Sequence, residues 1–325
     1  MMRKYILCFV VAVVACERTE FADSPDLPVP LISGFHSMYS PFQLEDRIWL
    51  GGWLEEPERV PWPDKIYVSR RNAEGSWTIP RPIKWANGQL YPEAGAIAGF
   101  HINDPVILPD AGGGRWIMLY TAFPNDAIKP SACNPETNPI DCLEIERHAV
   151  GWLSSVDKGN TWEDQGIFLS GPEGVWSPGA VKVKDEIWVY YMDGTYPVSQ
   201  SKIWRQRVDI QTMQPISARE RVKHPGDGLS NVDVKRHGQY FFLAGNRNRA
   251  SEVFVYRSTD GLNFDRSMCW PDPVLSYRGT RLDGPNIASI KPLKLLTGYN
   301  QGAGSNLIVS FQHQADWGMC SSFSD

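Results

Sequence analysis

Three aspartates stand where this chain could carry acid–base chemistry. Asp104 lies in Asn103-Asp104-Pro105-Val106, Asp283 opens Asp283-Gly284-Pro285, and Asp193 follows the aromatic run Ile187 to Tyr191. Two carboxyl groups on either side of a reacting centre can divide the work. One acts as base or nucleophile, and the other protonates a leaving oxygen. An unperturbed aspartate is mostly ionised at neutral pH, so the one serving as acid needs a like charge nearby to raise its proton affinity. This reading makes Asp104 the base, Asp283 the acid and Asp193 the modulating carboxylate. His36, His101, Trp176, Asp233, Arg247 and Tyr299 are the accompanying candidates for binding. Carboxylates accept hydrogen bonds from neighbouring hydroxyls, and aromatic faces stack on C–H surfaces, so the set suits a polyhydroxylated ligand and needs no metal or other cofactor. Each candidate also has a plainer use: Asp104 and Asp283 as turn caps, His101 as a core histidine, Trp176 as packing between layers.

A repeated unit positions these residues. Ser40-Pro41, Asp104-Pro105, Ser177-Pro178, Asn231-Val232 and Gly284-Pro285 each begin an apolar stretch, then a polar turn, then an aromatic-rich strand such as Trp116-Ile-Met-Leu-Tyr120. The starts are 64, 73, 54 and 53 residues apart, close to the ~40–50 residues of a four-stranded propeller blade with its loops. Ser155-Val-Asp157-Lys-Gly159-Asn-Thr161-Trp162 fits the Asp-box pattern, Ser258 to Phe264 is a shorter relative, and Ser69 to Trp77 a looser one. In such a turn the carboxylate caps backbone N–H groups and glycine takes a positive φ, so these aspartates are structural. The expectation is an all-β chain, a five-bladed β-propeller of four-stranded antiparallel blades. The segment around Leu27 to Ile32 supplies the missing outer strand of blade five. A sandwich of independent hairpins is the alternative. In a propeller the starts of the first strands and the exits of the second share one rim, which gathers the candidates above at a central mouth, while the Asp boxes lie on the opposite face.

At this level the chain resembles the five-bladed propeller glycosidases, the group of arabinanases, β-xylosidases, invertases and levansucrases. Asn103-Asp104-Pro105-Val106 with Leu119-Tyr120-Thr121, Trp176-Ser177-Pro178 and Asp283-Gly284-Pro285 carry the resemblance, which spans roughly residues 30 to 315. It implies a carbohydrate site in a central funnel and hydrolysis of a glycosidic bond in an extracellular poly- or oligosaccharide. Hydrolysis of that kind sets two carboxyl groups about 5–5.5 Å apart for retention or 6.5–9.5 Å for inversion. The sequence departs from the group's pattern at three places: Ser40 precedes Pro41 where the first aspartate is usual, Gly179 takes the place of the aspartate in Trp-Ala-Pro-Asp, and no Glu-Gly-Pro occurs. A non-catalytic carbohydrate-binding or structural surface propeller is therefore the alternative. A sialidase-like enzyme, with Arg247, Arg249 and Arg281 as carboxylate ligands, is the lesser one.

The remaining features concern location. The 325 residues hold 32 Lys+Arg against 37 Asp+Glu, 13 Trp, 12 Tyr, 13 Phe, 28 Gly and 25 Pro, a composition that excludes a disordered chain and a basic nucleic-acid binder. Arg3-Lys4 followed by the apolar run Tyr5 to Ala15 reads as a signal peptide over residues 1–16, leaving 17–325 as a single propeller domain. Val13-Val14-Ala15-Cys16 resembles the bacterial lipobox, which would lipidate Cys16 and give a membrane tether; cleavage nearby is the alternative. The protein is thus expected to be exported, whether periplasmic, anchored to the outer membrane as a lipoprotein, or extracellular, and to act as a monomer. Cys133 with Cys142, and Cys269 with Cys320, are the economical disulfide pairs in an oxidising compartment.

Overall fold

The structure is a computed structural model that describes residues 29–35, 37–53, 65–86, 101–123, 148–193, 202–226, 228–247, 252–267, 270, 272–276, 281–300 and 306–313. Cys16, His36 and all four cysteines of the expected disulfides lie outside them.

The described residues form five antiparallel sheets. Strand β1 (Val29–Phe35) comes first in the chain. Blade 1 is β2 (Ser37–Leu44), β3 (Arg47–Trp53), β4 (Lys65–Arg70) and β5 (Arg81–Pro82). Blade 2 is β6 (His101–Leu108), β7 (Trp116–Phe123), β8 (Ala149–Ser155) and β9 (Glu163–Leu169). Blade 3 is β10 (Val175–Val183), β11 (Glu186–Asp193), β12 (Ile203–Asp209) and β13 (Glu220–Arg221). Blade 4 is β14 (Leu229–His237), β15 (Tyr240–Arg247), β16 (Glu252–Ser258) and β17 (Asp265–Arg266), with β18 (Leu275–Ser276) also pairing β16. Blade 5 is β19 (Arg281–Ser289), β20 (Leu293–Asn300) and β21 (Asn306–His313), and β1 completes it, antiparallel to β21. The chain is a five-bladed β-propeller whose ring is closed by β1, the first described strand, as the outermost strand of blade 5.

The core lies between blades. Separate apolar clusters fill the seams of blades 1 to 3, 3 and 4, 4 and 5, and 5 and 1. The turns after β8 and β16 fasten neighbouring blades. Asp157 Oδ1 accepts from the N–H groups of Asn160 and Thr161 at 3.0 and 2.9 Å, and Oδ2 accepts from Thr161 Oγ1 at 2.7 Å. That turn delivers Trp162, 1 % exposed, to blade 1, where its N–H donates to the Lys84 carbonyl at 2.9 Å and its carbonyl accepts from Ala86 N–H at 2.8 Å. Asp260 caps the turn after β16 in the same way and delivers Phe264 to Lys223 of blade 3. Burial raises the proton affinity of both carboxyls, but these donors outweigh it and hold Asp157 and Asp260 below the usual carboxylate range.

Candidate functional site

Every first strand carries the same irregularity near its start. Between Tyr39 and Phe42, Asn103 and Val106, Trp176 and Gly179, Ser230 and Asp233, and Asp283 and Asn286, the register slips against the second strand. Two residues oppose one there, which is a β-bulge. The first of the two has a left-handed φ in every blade: Ser40 45°, Asp104 49°, Ser177 51°, Asn231 49° and Gly284 60°. A non-glycine residue in that region costs about 1–3 kcal/mol and persists where its surroundings over-determine it. Four such residues meet at the propeller axis and form the floor of a funnel.

Side-chain hydrogen bonds hold the floor from blade to blade. Ser40 Oγ of blade 1 donates to Asp104 Oδ1 of blade 2, and Thr121 Oγ1 donates to Asp104 Oδ2 at 2.9 Å. The same Thr121 hydroxyl accepts from Ser177 N–H of blade 3 at 2.8 Å, and Ser177 Oγ donates to Asn231 Oδ1 of blade 4 at 3.0 Å. Gly284 of blade 5 closes the circle: a Cβ there would sit 2.4 Å from both Cα and Oγ of Ser40. Ser40 therefore touches both the Asp104 carboxylate and the Gly284 backbone. Blades 2 and 5, though separated by blade 1, approach each other at the axis. Hydroxyl donors on both oxygens suit the carboxylate form of Asp104, which can only accept.

The depression over this floor is lined by residues of all five blades, Asp104, Asn231, Asp233 and Asn286 supplying its polar side chains along with Ser40 and Ser177; its water-accessible space is about 30 Å³, room for a few waters. Asp233 is 4 % exposed, and its Oδ2 accepts from Asn286 Nδ2 at 2.9 Å and Ile287 N–H at 2.8 Å, tying blade 4 to blade 5. Its Oδ1 is buried with no hydrogen-bond partner among the described residues.

The sequence-derived residues fall into three groups. Asp104 and Asp233 line the depression, and Asp283 stands one residue before Gly284, its Cα opposite Gly298; of its side chain, as of His101's on β6, nothing is described. Trp176 sits one residue before Ser177, half-buried, its ring edge-on to His148 with centroids 5.1 Å apart. The third group is engaged elsewhere. Asp193, expected as a modulating carboxylate at the mouth, clamps the β11–β12 hairpin: it accepts from Lys202 N–H at 2.7 Å and Trp204 Nε1 at 2.8 Å and is 2 % exposed. Arg247 pairs with Glu252 of its own blade at 3.3 Å and lies over the Phe254 ring. Tyr299, 8 % exposed, packs in the core of blades 4 and 5, where its face is not open to a ligand. Sequence reasoning passed over Ser40 and Thr121 as partners of the aspartate and Ser177 as the link from Thr121 to Asn231, and it passed over His148. The signal for the serines was there: both precede a proline in the register of Asp104.

Comparison with known proteins bears on the architecture. No family model matches the chain, and no curated protein does. Among solved structures, the native arabinanase Arb43A of Bacillus subtilis superposes with a TM-score of 0.57 at 12 % identity, covering 87 % of this chain and 97 % of its own. A thermostable family-43 glycoside hydrolase gives 0.60 at 13 %, with 88 % and 91 % covered. The chain shares their fold. An N-acetylgalactosamine deacetylase from F. plautii, in complex with blood group B trisaccharide, is as similar, at 0.60 and 11 %, with 91 % and 97 % covered. The same propeller thus carries more than one reaction on sugars, and what this chain does is decided by the side chains of its own site.

Proposed function

We propose that the protein is an exported glycoside hydrolase-like propeller that cleaves a glycosidic bond of an extracellular poly- or oligosaccharide with Asp104 as base and Asp283 as acid. The observation that carries this reading is the floor itself. Four strained non-glycine residues meet at the axis, and one of them, Asp104, has its carboxylate fixed by Ser40 and Thr121; backbone strain of that kind clusters at functional sites. Asp283 precedes Gly284 on β19 of blade 5, and a Cβ on that glycine would meet Ser40. The scheme thus draws its two aspartates from the first strands of different blades, in keeping with a carboxyl pair that acts from two sides of one bond. In this scheme Asp104 takes the proton of an attacking water or attacks the anomeric carbon itself, and Asp283 protonates the departing oxygen. Trp176 offers the aromatic surface beside them. The likeness in fold to family-43 hydrolases supports the substrate class.

A glycan array combined with a chromogenic-glycoside screen of the mature protein tests the proposal. The expected result is turnover of at least one bound glycan, falling ~10²–10⁴-fold in Asp104→Asn and in Asp283→Asn with the propeller still folded by circular dichroism. Activity that survives both substitutions refutes the assignment. Binding without turnover makes the protein a carbohydrate-binding propeller.

A further inference from the structure

At the register just before each bulge, a second-strand residue stands opposite the first strand: Gly51 opposite Tyr39, Thr121 opposite Asn103, Met192 opposite Trp176, Asn246 opposite Ser230 and Gly298 opposite Asp283. Three of these five reach over to the first strand of the next blade. Thr121 Oγ1 accepts from Ser177 N–H at 2.8 Å, Met192 Sδ accepts from Asn231 N–H at 3.2 Å, and Asn246 Nδ2 donates to the Leu282 carbonyl at 2.8 Å. Blade 2 is thereby stitched to blade 3, 3 to 4 and 4 to 5. Gly51 of blade 1 and Gly298 of blade 5 hold the same register and have no side chain with which to reach blades 2 and 1. The two seams without this stitch are the ones that flank blade 1.

At the seam of blades 1 and 2 a first-strand side chain takes up the room that Gly51 leaves. One edge of the Tyr39 ring lies over this glycine: a Cβ on Gly51 would sit 2.9 Å from Tyr39 Cε2 and 3.4 Å from Cδ2, and 3.1 Å from Asn103 Cβ. The phenolic oxygen of Tyr39 accepts from Asn103 Nδ2 of blade 2 at 3.3 Å. The ring is thus held at its edge and at its hydroxyl, while the residue as a whole is only half-buried. Ser40 follows Tyr39 in the chain and Asp104 follows Asn103, so the ring stands directly over the bond between Ser40 and Asp104. An aromatic surface fixed in advance lowers the ordering cost of whatever stacks on it.

We infer that Tyr39 is a binding residue of the axial site: its pinned ring is the surface on which the C–H face of a saccharide ring stacks, and Gly51 is small to make room for it. An aromatic side chain with one polar end already satisfied offers the apolar body to a ligand. Tyr39 and Trp176 hold equivalent places on blades 1 and 3, on the two sides of blade 2 and its Asp104. Blade 1 also stands between the blades that carry Asp104 and Asp283. A ring stacked on Tyr39 therefore lies among the groups assigned to the chemistry. The inference rests on the carbohydrate reading of the floor and does not require hydrolysis there.

The probes are the p-nitrophenyl α- and β-glycosides of the common neutral pentoses and hexoses. Meta-fluorotyrosine is placed at Tyr39 or, as a control, at Tyr240, which pairs with His237 at the other end of blade 4, and contact is read by fluorine NMR. Affinity is read by titration on wild type, Tyr39→Phe, Tyr39→Ala and Gly51→Ala, each checked for fold by circular dichroism. The expected result is a resonance shift at Tyr39 and none at Tyr240 with at least one glycoside. Its affinity falls about 10-fold in Tyr39→Ala and in Gly51→Ala, whose methyl displaces the ring, and Tyr39→Phe, which keeps the face, recovers it to within about 3-fold. A silent label at Tyr39, an equal shift at Tyr240, or an affinity unchanged in Tyr39→Ala and Gly51→Ala overturns the inference. Binding that depends on Tyr39 without turnover, or with turnover that survives Asp104→Asn and Asp283→Asn, upholds it and removes the proposed hydrolysis instead.

Discussion

Replacing Thr121 by valine isolates one node of the axial floor. The side chains are nearly the same size, and Thr121 is 1 % exposed, so the change removes a hydroxyl and little else. Two interactions are lost: donation to Asp104 Oδ2 at 2.9 Å and acceptance from Ser177 N–H at 2.8 Å. A hydrogen bond to a charged group contributes about 1.5–3 kcal/mol, and a buried N–H left without a partner costs about 1–3 kcal/mol. The two share one hydroxyl and do not add fully, so the expected loss is about 2–4 kcal/mol. For a domain of this size that lowers the melting temperature by roughly 3–6 °C. Denaturant midpoints and calorimetry on wild type, Thr121→Val, Ser40→Ala and the double variant measure it. Ser40 donates to the other Asp104 oxygen and leaves no buried N–H behind, so Ser40→Ala is the milder change for stability, and coupling between the two in the cycle reports their common partner. If the Asp104 reading holds, both substitutions reduce turnover by loosening one carboxylate. Wild-type stability in Thr121→Val would mean that the relay does not hold the floor, and the argument built on it would fail.

Gly284→Ala is expected to cost about 2–4 kcal/mol, because alanine at φ 60° is strained and its Cβ would lie 2.4 Å from Ser40 Cα, a backbone-bound atom that cannot swing away; chemical denaturation checks this. Acid unfolding should track three carboxyls held below their ordinary values. Asp157 and Asp260 are held there by turn donors against the opposing effect of burial, and Glu186, at about 2, by Arg207 above all. A depressed folded-state pKa means the unfolded chain binds more protons below about pH 4, so their contribution is complete above that point and disappears as pH falls through the folded values. Asp260→Asn should therefore be less stable at neutral pH, with a shallower loss below pH 4, as read from denaturant midpoints across pH.

The fold was legible because a propeller repeats. Proline at 41, 105, 178 and 285 each follows a bulge residue, and that fixed spacing marks the inner strand of a blade more strongly than strand propensity does. Blade 4 has Val232 in the same place and was found from its aromatic second strand, Tyr240 to Leu243. The closing strand was legible from what blade 5 lacked. The site was less so, for a physical reason. A sequence shows that a residue starts a strand, but not which neighbour its side chain meets across a seam. Asp193 ends β11 at the expected height, yet Lys202, just before the next strand, and Trp204 within it take both its oxygens. Tyr299 likewise ends its strand at the mouth and turns its ring into the seam. Thr121 looked like an ordinary strand residue because its role appears only when Asp104 and Ser177, on different blades, are brought to it.

The departures from the glycosidase pattern acquire a structural sense from the equivalence of the five bulges. Two residues after each left-handed position stand Phe42, Val106, Gly179, Asp233 and Asn286. In Trp176-Ser177-Pro178-Gly179 the pattern's aspartate is glycine, and a Cβ there would lie 2.9 Å from the Val232 carbonyl oxygen and 3.4 Å from Asp233 Cα. The backbone of blade 4 has closed onto this position, so no side chain fits. The carboxylate at the equivalent place is Asp233, one blade further round, and it does two things at once: one oxygen ties blade 4 to blade 5 through Asn286 and Ile287, and the other has no partner among the described residues beside the axial depression. Asn286 passes the connection on, its Oδ1 accepting from Gln43 N–H of blade 1 at 3.0 Å. Asp104 joins blade 2 to blade 1, and Asp233 joins blade 4 to the blades beyond it. The acidic residues of the floor thus lie on opposite sides of the axis, each fixed by a neighbouring blade, and any ligand seated over the floor meets carboxylates whose positions the closed ring has already determined.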